Sequence, residues 1–194
     1  SSKLEHRGPD AFGIWTNTEF GLVFSHRRLS ILDLSSAGSQ PMKSSTGRYI
    51  ITFNGEIYNH LKIRKKLEIS GALQSSWKSS CDTETLLAAI EHYGLKEALK
   101  ICSGMFAFAL WDNKNREINL IRDRFGEKPL YWGFIPSKNN ILAFASDISA
   151  ICSLPVVSKK INNEAVADYF TYGYISAPNC IQYGLNQLEA GHIL

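Results

Sequence analysis

The chain has 194 residues, of which 44% are hydrophobic and 20% are charged, and its formal net charge is +3. This size and composition suit one globular domain with a substantial core. The densest basic stretch is Arg64-Lys65-Lys66, on a predicted helix surface, so we expect no nucleic-acid partner. No apolar run approaches the ~20 residues that cross a bilayer, and the first residues, SSKLEHRGPD, lack a signal-peptide core. We therefore expect no membrane association and a cytoplasmic location.

Cysteine spacing argues against a metal site or a redox motif. No pair among the four cysteines has the CxxC spacing that zinc sites and thioredoxin-like motifs use. We expect four free thiols that serve as small core residues, and no metal ligand set. The four are Cys81, Cys102, Cys152 and Cys180.

The first half of the chain predicts strands followed by helices. Residues 11–16 and 21–29 read as strands, and the period of two places Phe24, His26 and Arg28 on one face that begins apolar and ends cationic. This pattern is typical of a strand that begins in a core and ends at a cleft. Residues 49–53 form the next predicted strand, and a helix capped by Asn59 follows the corner FNGEIYN. A second helix is predicted to begin at Asp82 and to end at Gly94, just after its last apolar residue.

The stretch GMFAFALWD, residues 104–112, is apolar on both faces, with bulky residues on one side and mostly small ones on the other. A strand with two apolar faces is covered on both sides, so this one suits a sheet packed between another sheet and helices. Further strands are predicted at 117–122, 130–134 and 141–145, and helices at 146–152 and 163–172. The order predicts an α+β fold with mostly antiparallel sheets.

A site for a free amino acid needs particular side chains. Its α-carboxylate favours an Arg fork, its α-ammonium favours carboxylates, and a reacting amide favours an oxyanion hole of N–H donors. The chain offers Arg28 at a strand end, Asn54-Gly55-Glu56 after another strand, and Asp82 at a helix start. Taken singly, each has another interpretation: Arg28 as a surface ion-pair partner, Asp82 as a helix cap and Asn54-Gly55 as a turn.

Seven motifs, spread in order over the chain, resemble the glutamine-hydrolysing domain of asparagine synthetases, a class II amidotransferase domain. The stretch at 169–192 also resembles the segment that links this domain to the synthetase domain of those proteins. The motifs are HRGPD (6–10), HRRLSILDLS (26–35), AGSQPM (37–42), FNGEIYN (53–59), CDTET (81–85), GMFAFALWD (104–112) and IRDRFGEKPLYWG (121–133).

The resemblance implies the fold and the roles of the site residues. The fold is the N-terminal nucleophile hydrolase type, a four-layer α/β/β/α sandwich of two mostly antiparallel sheets, here expected to lack its first strand. Asn54 and Gly55 resemble the oxyanion hole. Arg28 resembles the glutamine-carboxylate binder, and Glu56 and Asp82 resemble the groups that hold the α-amino end. The segment that consists of Leu29, Ser30, Ile31 and Leu32 resembles the strand segment that lines the family's glutamine pocket.

The resemblance also implies the reaction. Such a domain hydrolyses L-glutamine to glutamate and ammonia, and a C-terminal synthetase domain uses the ammonia for ATP-dependent amidation of aspartate. No cofactor is implied here, whereas ATP and Mg belong to the synthetase domain. We expect the amidotransferase domain at 1–160, N-terminally truncated, and the linker with the start of the synthetase domain at 161–194. A homodimer is one possible assembly.

The family's nucleophile is an N-terminal cysteine, and no residue of this chain matches it, so we expect the chain alone to be inactive. Ser1 and Cys81 are poor replacements, because no strand positions the first and the second lacks a free α-amine. Two alternatives stay open. One is an amidotransferase with a different acceptor, as in surface-sugar synthesis, and the other is a non-catalytic glutamine-binding module.

Overall fold

The computed structural model describes residues 2–29, 36–71, 76–136 and 140–194. Short 3-10 helices lie at Ser2–Arg7 and Ser36–Gly38. The strands are β1 Ala11–Asn17, β2 Leu22–Arg28, β3 Met42–Lys43, β4 Tyr49–Ile57, β5 Gly104–Asp112, β6 Glu117–Arg122, β7 Tyr131–Ile135, β8 Ile141–Ala145 and β9 Asn186–Gln187. The helices are α1 His60–Ile69, α2 Asp82–Tyr93, α3 Leu95–Ile101, α4 Ile148–Cys152 and α5 Asn163–Tyr172.

The strands of the described residues pair antiparallel throughout. One sheet has the order β3-β4-β5-β6, and the second layer consists of the hairpin β1-β2 and the group β8-β7-β9. The β4-β5 pair is the longest, and it runs from Tyr49 opposite Asp112 to Ile57 opposite Gly104. The predicted α+β class with antiparallel sheets is confirmed.

The two faces of β5 pack as its pattern predicts. Phe106, Phe108 and Leu110 belong to a core cluster that also holds residues of α1, α2 and α3. Ala107 and Ala109 belong to a second cluster with Phe24 of β2 and Leu130, beneath the strands of the other sheet. Small side chains on that face let the two sheets approach each other. The outer face of β7 and β8 packs on α4 in a third cluster, so the layers run helix, sheet, sheet, helix.

The corner FNGEIYN extends the predicted strand. Strand β4 continues past Phe53 through Asn54, Gly55 and Glu56 to Ile57, so the alternative interpretation of Asn54-Gly55 as a turn is wrong. Asn59 occupies the N-cap position of α1 but makes no capping bond. Its side chain instead donates to the Ile101 carbonyl and accepts from the Ser103 N–H. At Asn54-Gly55, pairing with β5 overrides the local turn preference of Asn-Gly.

Two further differences concern the helices. Gly94 ends α2 as predicted, with φ +80°, but α3 begins at the next residue and was not predicted. Asp82 is the first residue of α2, whereas Cys81 holds its N-cap position. The Asp82 side chain therefore does not cap its own helix.

The turn after β6 is organised by the side chains of Arg122 and Asp123, and each of them binds backbone groups. The guanidinium of Arg122 donates to the carbonyls of Lys128, Leu188 and Gly126 at 2.8, 2.6 and 2.7 Å. Asp123 accepts four backbone N–H groups, those of Phe106, Phe125, Glu127 and Lys128.

The last residues of the chain extend the main sheet at β6. Leu120 and Leu194 exchange two backbone hydrogen bonds, of 2.8 and 2.9 Å, and Ile193 bridges Ile121. Strand β9 pairs with β7. The division at residue 160 stays a prediction. Within the described ranges, no helix is long and apolar enough to cross a membrane.

Candidate functional site

The outer edge of β4 is the side that faces away from β5, and side chains bind it where β3 has ended. In an antiparallel strand the backbone N–H and C=O of alternate residues point to the same edge. The Phe53 N–H donates to Gln40 Oε1 at 2.6 Å, and the Ile57 N–H donates to Asp82 Oδ2 at 2.8 Å. Two side chains thus replace the bonds that a neighbouring strand would make.

Gly55 lies between these two anchored residues. The period of the strand directs its N–H to the same outer edge as those of Phe53 and Ile57. The residue opposite Gly55 in β5 is Phe106, whose N–H and C=O both bond to Asp123, at 3.2 and 2.8 Å, on the far side. The Gly55 N–H is therefore directed away from β5 and is placed to serve as a donor.

The chain requires glycine at this position. Gly55 has φ +154°, and a Cβ there would lie 2.6 Å from Phe106 Cα. On the facing strand, a Cβ at Gly104 would lie 2.9 Å from Ile57 Cα. Strands β4 and β5 approach each other closely here, so a side chain at either glycine would push them apart.

Asn54 supplies the second donor. Its Nδ2 is buried and has no hydrogen-bond partner among the residues that the structure describes. Asn54 lies opposite Ala107, on the small-residue face of the sheet. Buried polar groups are nearly always satisfied, so an unpaired buried N–H₂ is a candidate donor for a ligand acceptor.

A cavity of about 420 Å³ opens beside Asn54. It is bounded by β2 and β8, and Ala107 and Ala109 of β5 form part of its floor. Two more buried nitrogen atoms of its lining residues, His26 Nδ1 and Arg27 Nε, have no partner within the described ranges. Asn54 thus has an unpaired donor beside a cavity whose lining residues carry two further unpaired nitrogens.

His26 of β2 lines the same cavity and binds the backbone of β4 next to Asn54. Its Nε2 lies 3.1 Å from the Phe53 carbonyl oxygen, so Nε2 carries the proton and donates. Burial lowers the pKa of His26; the bond to Phe53 opposes this, and the charge of Arg28 lowers the pKa further. The imidazole is therefore neutral at pH 7.

Arg28 ends β2, as predicted. Its guanidinium approaches Gly38 so closely that a Cβ on that residue would lie 3.0 Å from Cζ. Leu29 is exposed, and the predicted pocket residues Ser30, Ile31 and Leu32 lie outside the described residues. Arg28 is not part of the cavity lining, so its carboxylate-binding role stays a prediction.

Glu56 and Asp82, the predicted partners of the α-amino group, also lie outside the cavity lining. Glu56 is half-buried in β4, on the strand face that Asn54 shares. Asp82 is buried, and its second oxygen lies 3.4 Å from Thr83 Oγ1. Its contact with Ile57 gives Asp82 a structural task, and the substrate contact of either carboxylate stays a prediction.

Cys81 lacks the properties of a nucleophile. Burial raises the pKa of its thiol, against the lowering effect of the Ser79 hydroxyl 2.9 Å away. A buried protonated thiol is a weak nucleophile. Burial also raises the pKa of the other three thiols, that of Cys102 to about 11. In the part of the chain that the structure covers, no cluster of side chains could hold a metal ion.

Sequence reasoning gave no role to His26 or Gln40, although both stand in quoted motifs. The period of β2 placed His26 between Phe24 and Arg28, which was the available signal. Gln40 had none, because its bond to Phe53 joins residues 13 positions apart through a loop.

Curated relatives resemble the whole chain. Asparagine synthetase [glutamine-hydrolyzing] 1 of Bacillus subtilis is 37% identical over 190 residues, which cover 97% of this chain and 28% of that protein. Asparagine synthetase [glutamine-hydrolyzing] 2 of the same organism is 32% identical over 98% of this chain and 25% of its own length. The chain therefore spans less than a third of the length of either relative.

A solved structure supports the fold. Glutamine phosphoribosylpyrophosphate amidotransferase from B. subtilis matches 67% of this chain and 28% of its own chain, with a TM-score of 0.54 and 22% identity. At that identity the likeness concerns the fold alone. A family described as a glutamine amidotransferase domain matches residues 1–194. With the relatives, this match shows that the chain belongs to the glutamine amidotransferase domain family.

Proposed function

We propose that this domain binds L-glutamine and polarises its side-chain amide with the Asn54 side chain and the Gly55 N–H. The observation that carries the proposal is the buried Asn54 Nδ2 without a partner among the described residues, next to a glycine N–H on the outer edge of β4. Two N–H donors that converge on one oxygen stabilise the negative charge of a tetrahedral intermediate. Hydrolysis then yields glutamate and ammonia from glutamine and water.

The remaining predicted residues would hold the amino-acid end of the substrate. We assign the α-carboxylate to Arg28, because guanidinium and carboxylate form paired hydrogen bonds. We assign the α-ammonium to Glu56 and Asp82. Leu29, with the segment 30–32, would line the same pocket. These roles are supported by the family resemblance and by the position of Arg28 at the end of β2.

For the whole protein we propose that the ammonia serves the ATP- and Mg-dependent amidation of aspartate. The support is the names of the curated relatives, which are glutamine-hydrolysing asparagine synthetases and are more than three times as long as this chain. The acceptor site would lie in their further domain.

Calorimetric titration with L-glutamine tests the binding step, and glutamate release by the intact protein tests the hydrolysis. We expect Arg28→Ala to weaken glutamine binding by at least about tenfold, because a charged hydrogen-bonded contact contributes roughly 1.5–3 kcal/mol. Arg116→Ala, in the turn between β5 and β6, also removes one positive charge and should leave binding unchanged. Equal binding of L- and D-glutamine would contradict the proposal. Binding without glutamate release would favour the non-catalytic module.

A further inference from the structure

Phe53, the residue before Asn54, is held by side chains from two different parts of the chain. Gln40 Oε1 accepts its N–H at 2.6 Å, and His26 Nε2 donates to its carbonyl at 3.1 Å. We call His26 and Gln40 the Phe53 clamp. Neither residue lies on a strand that pairs with β4. Together they make the two backbone hydrogen bonds of Phe53, one at its N–H and one at its carbonyl, that a neighbouring strand would otherwise make.

The clamp begins where the strand pairing of β3 ends. Met42 pairs with Ile51, and continuing that register would set Gln40 opposite Phe53. Gln40 instead bonds Phe53 through its side chain, while a Cβ on Gly13 of β1 would lie 3.1 Å from the Gln40 carbonyl carbon. The glutamine is wedged between β1 and β4.

The bonds of the clamp bear directly on the two proposed donors. The Phe53 carbonyl that His26 binds belongs to the same peptide unit as the backbone nitrogen of Asn54. The next peptide unit carries the Gly55 N–H. The Ile57 N–H is held two residues beyond Gly55, by Asp82. The Asn54-Gly55 segment is thus fixed at both ends, as a preorganised oxyanion hole requires.

We propose that His26 and Gln40 are positioning residues for glutamine hydrolysis, which fix the direction of the Asn54 and Gly55 donors through the backbone of Phe53. The inference rests on the proposed function. It assigns neither residue a contact with the substrate. Loss of the clamp should therefore weaken the stabilisation of the transition state while leaving substrate binding intact.

The test measures the kcat and KM of glutamine hydrolysis in the intact protein. Gln40→Leu removes the acceptor at similar volume, and we expect kcat to fall about 10- to 100-fold with KM within about twofold. Gln40→Glu keeps an acceptor and should stay within about threefold of the wild-type kcat. His26→Leu should behave as Gln40→Leu does, and His26→Gln should retain activity because its amide can donate to Phe53.

Ser44→Ala is the matched control. Ser44 Oγ accepts the Tyr49 N–H at 3.1 Å, which is the same type of bond on the same edge of β4 but four residues before Phe53. The control should lose stability as the clamp variants do, with kcat unchanged. A fall in kcat in Ser44→Ala equal to that in Gln40→Leu would overturn the proposal, because a general loosening of β4 would then explain both.

The outcomes separate the two proposals. If the wild type neither binds nor hydrolyses glutamine, the proposed function fails. If it hydrolyses glutamine and both leucine variants keep the wild-type kcat, the positioning role fails alone. If Gln40→Leu does not fold, His26→Leu decides the question. Failure of both to fold, with Ser44→Ala folded, would also overturn the proposal, since the clamp would then serve folding.

Discussion

Two regions of the main sheet use side chains to bind backbone groups, and they differ in what they leave unpaired. At the turn after β6, the Asp123 carboxylate accepts hydrogen bonds from four backbone N–H groups. The Arg122 guanidinium donates hydrogen bonds to three backbone carbonyls. Along the outer edge of β4, Gln40 and Asp82 each accept one N–H, while Asn54 Nδ2 between them has no partner among the described residues.

The difference separates structure from function. A fully paired polar network stabilises the fold, because each buried group has replaced its bonds to water. A buried donor without a partner costs stability and persists where a ligand uses it. Both places carry motifs that resemble the family, and the hydrogen-bond pairing distinguishes the turn from the site.

The largest expected effect concerns Asn54. Asn54→Ala should lower the kcat of glutamine hydrolysis by about 100- to 1000-fold, which is typical of losing one oxyanion-hole donor. The free energy of unfolding should not fall and should rise by up to about 1–3 kcal/mol, since the substitution removes a buried donor that makes no bond in the described fold. Steady-state kinetics of the intact protein and urea unfolding measure the two quantities. A large loss of stability with normal kcat would reverse our assignment of the two regions.

Asp123→Asn should have the opposite profile and the next largest effect. Burial alone would raise the pKa of Asp123, but the N–H groups of Lys128, Glu127, Phe125 and Phe106 lower it. The amide of Asn presents a donor where N–H groups point, so we expect a loss of about 3 kcal/mol at pH 7. Urea unfolding measures this loss.

The pH dependence supplies the control for Asp123. Because the pKa is lowered in the folded state, the contribution of the carboxylate is present above the unfolded pKa of about 3.9 and is lost as the pH falls through the folded value. The difference between wild type and Asp123→Asn should therefore shrink in acid. A difference independent of pH would contradict the role of the charge.

The smallest effect concerns His26, whose pKa is lowered by burial. The unfolded chain then takes up a proton below about pH 6.5 that the folded chain resists. The wild type should lose stability from that pH downward, by no more than about 1.4 kcal/mol per pH unit. His26→Gln should remove this component in urea unfolding between about pH 5 and 7. An unchanged slope in that range would show that His26 titrates normally.

Local patterns predicted the elements that depend on local chemistry. Residues 104–112 and 163–172 matched β5 and α5 at both ends, because two apolar faces and a capped amphipathic stretch leave few alternatives. The short α3 was missed because Gly94 stops one helix and the next begins immediately. A glycine that ends a helix does not indicate whether a loop or another helix follows.

The site was predicted in its residue types but not in its form. The pair Asn54-Gly55 left a turn open as one interpretation, and the structure keeps it in a strand that pairs with β5 and is bound at its outer edge by Gln40 and Asp82. Those bonds span 13 and 25 residues, and neither follows from periodicity or local propensity. The family motifs supplied the chemistry, whereas the geometry required the fold.

The close approach of β4 and β5 limits which substitutions this domain tolerates. A Cβ at Gly55 would collide with β5, and a Cβ at Gly104 would collide with β4. A substitution at one glycine therefore cannot be compensated at the other. Random mutagenesis of this domain would register both positions as intolerant. The requirement at these two positions is for space between two strands rather than for any side-chain group.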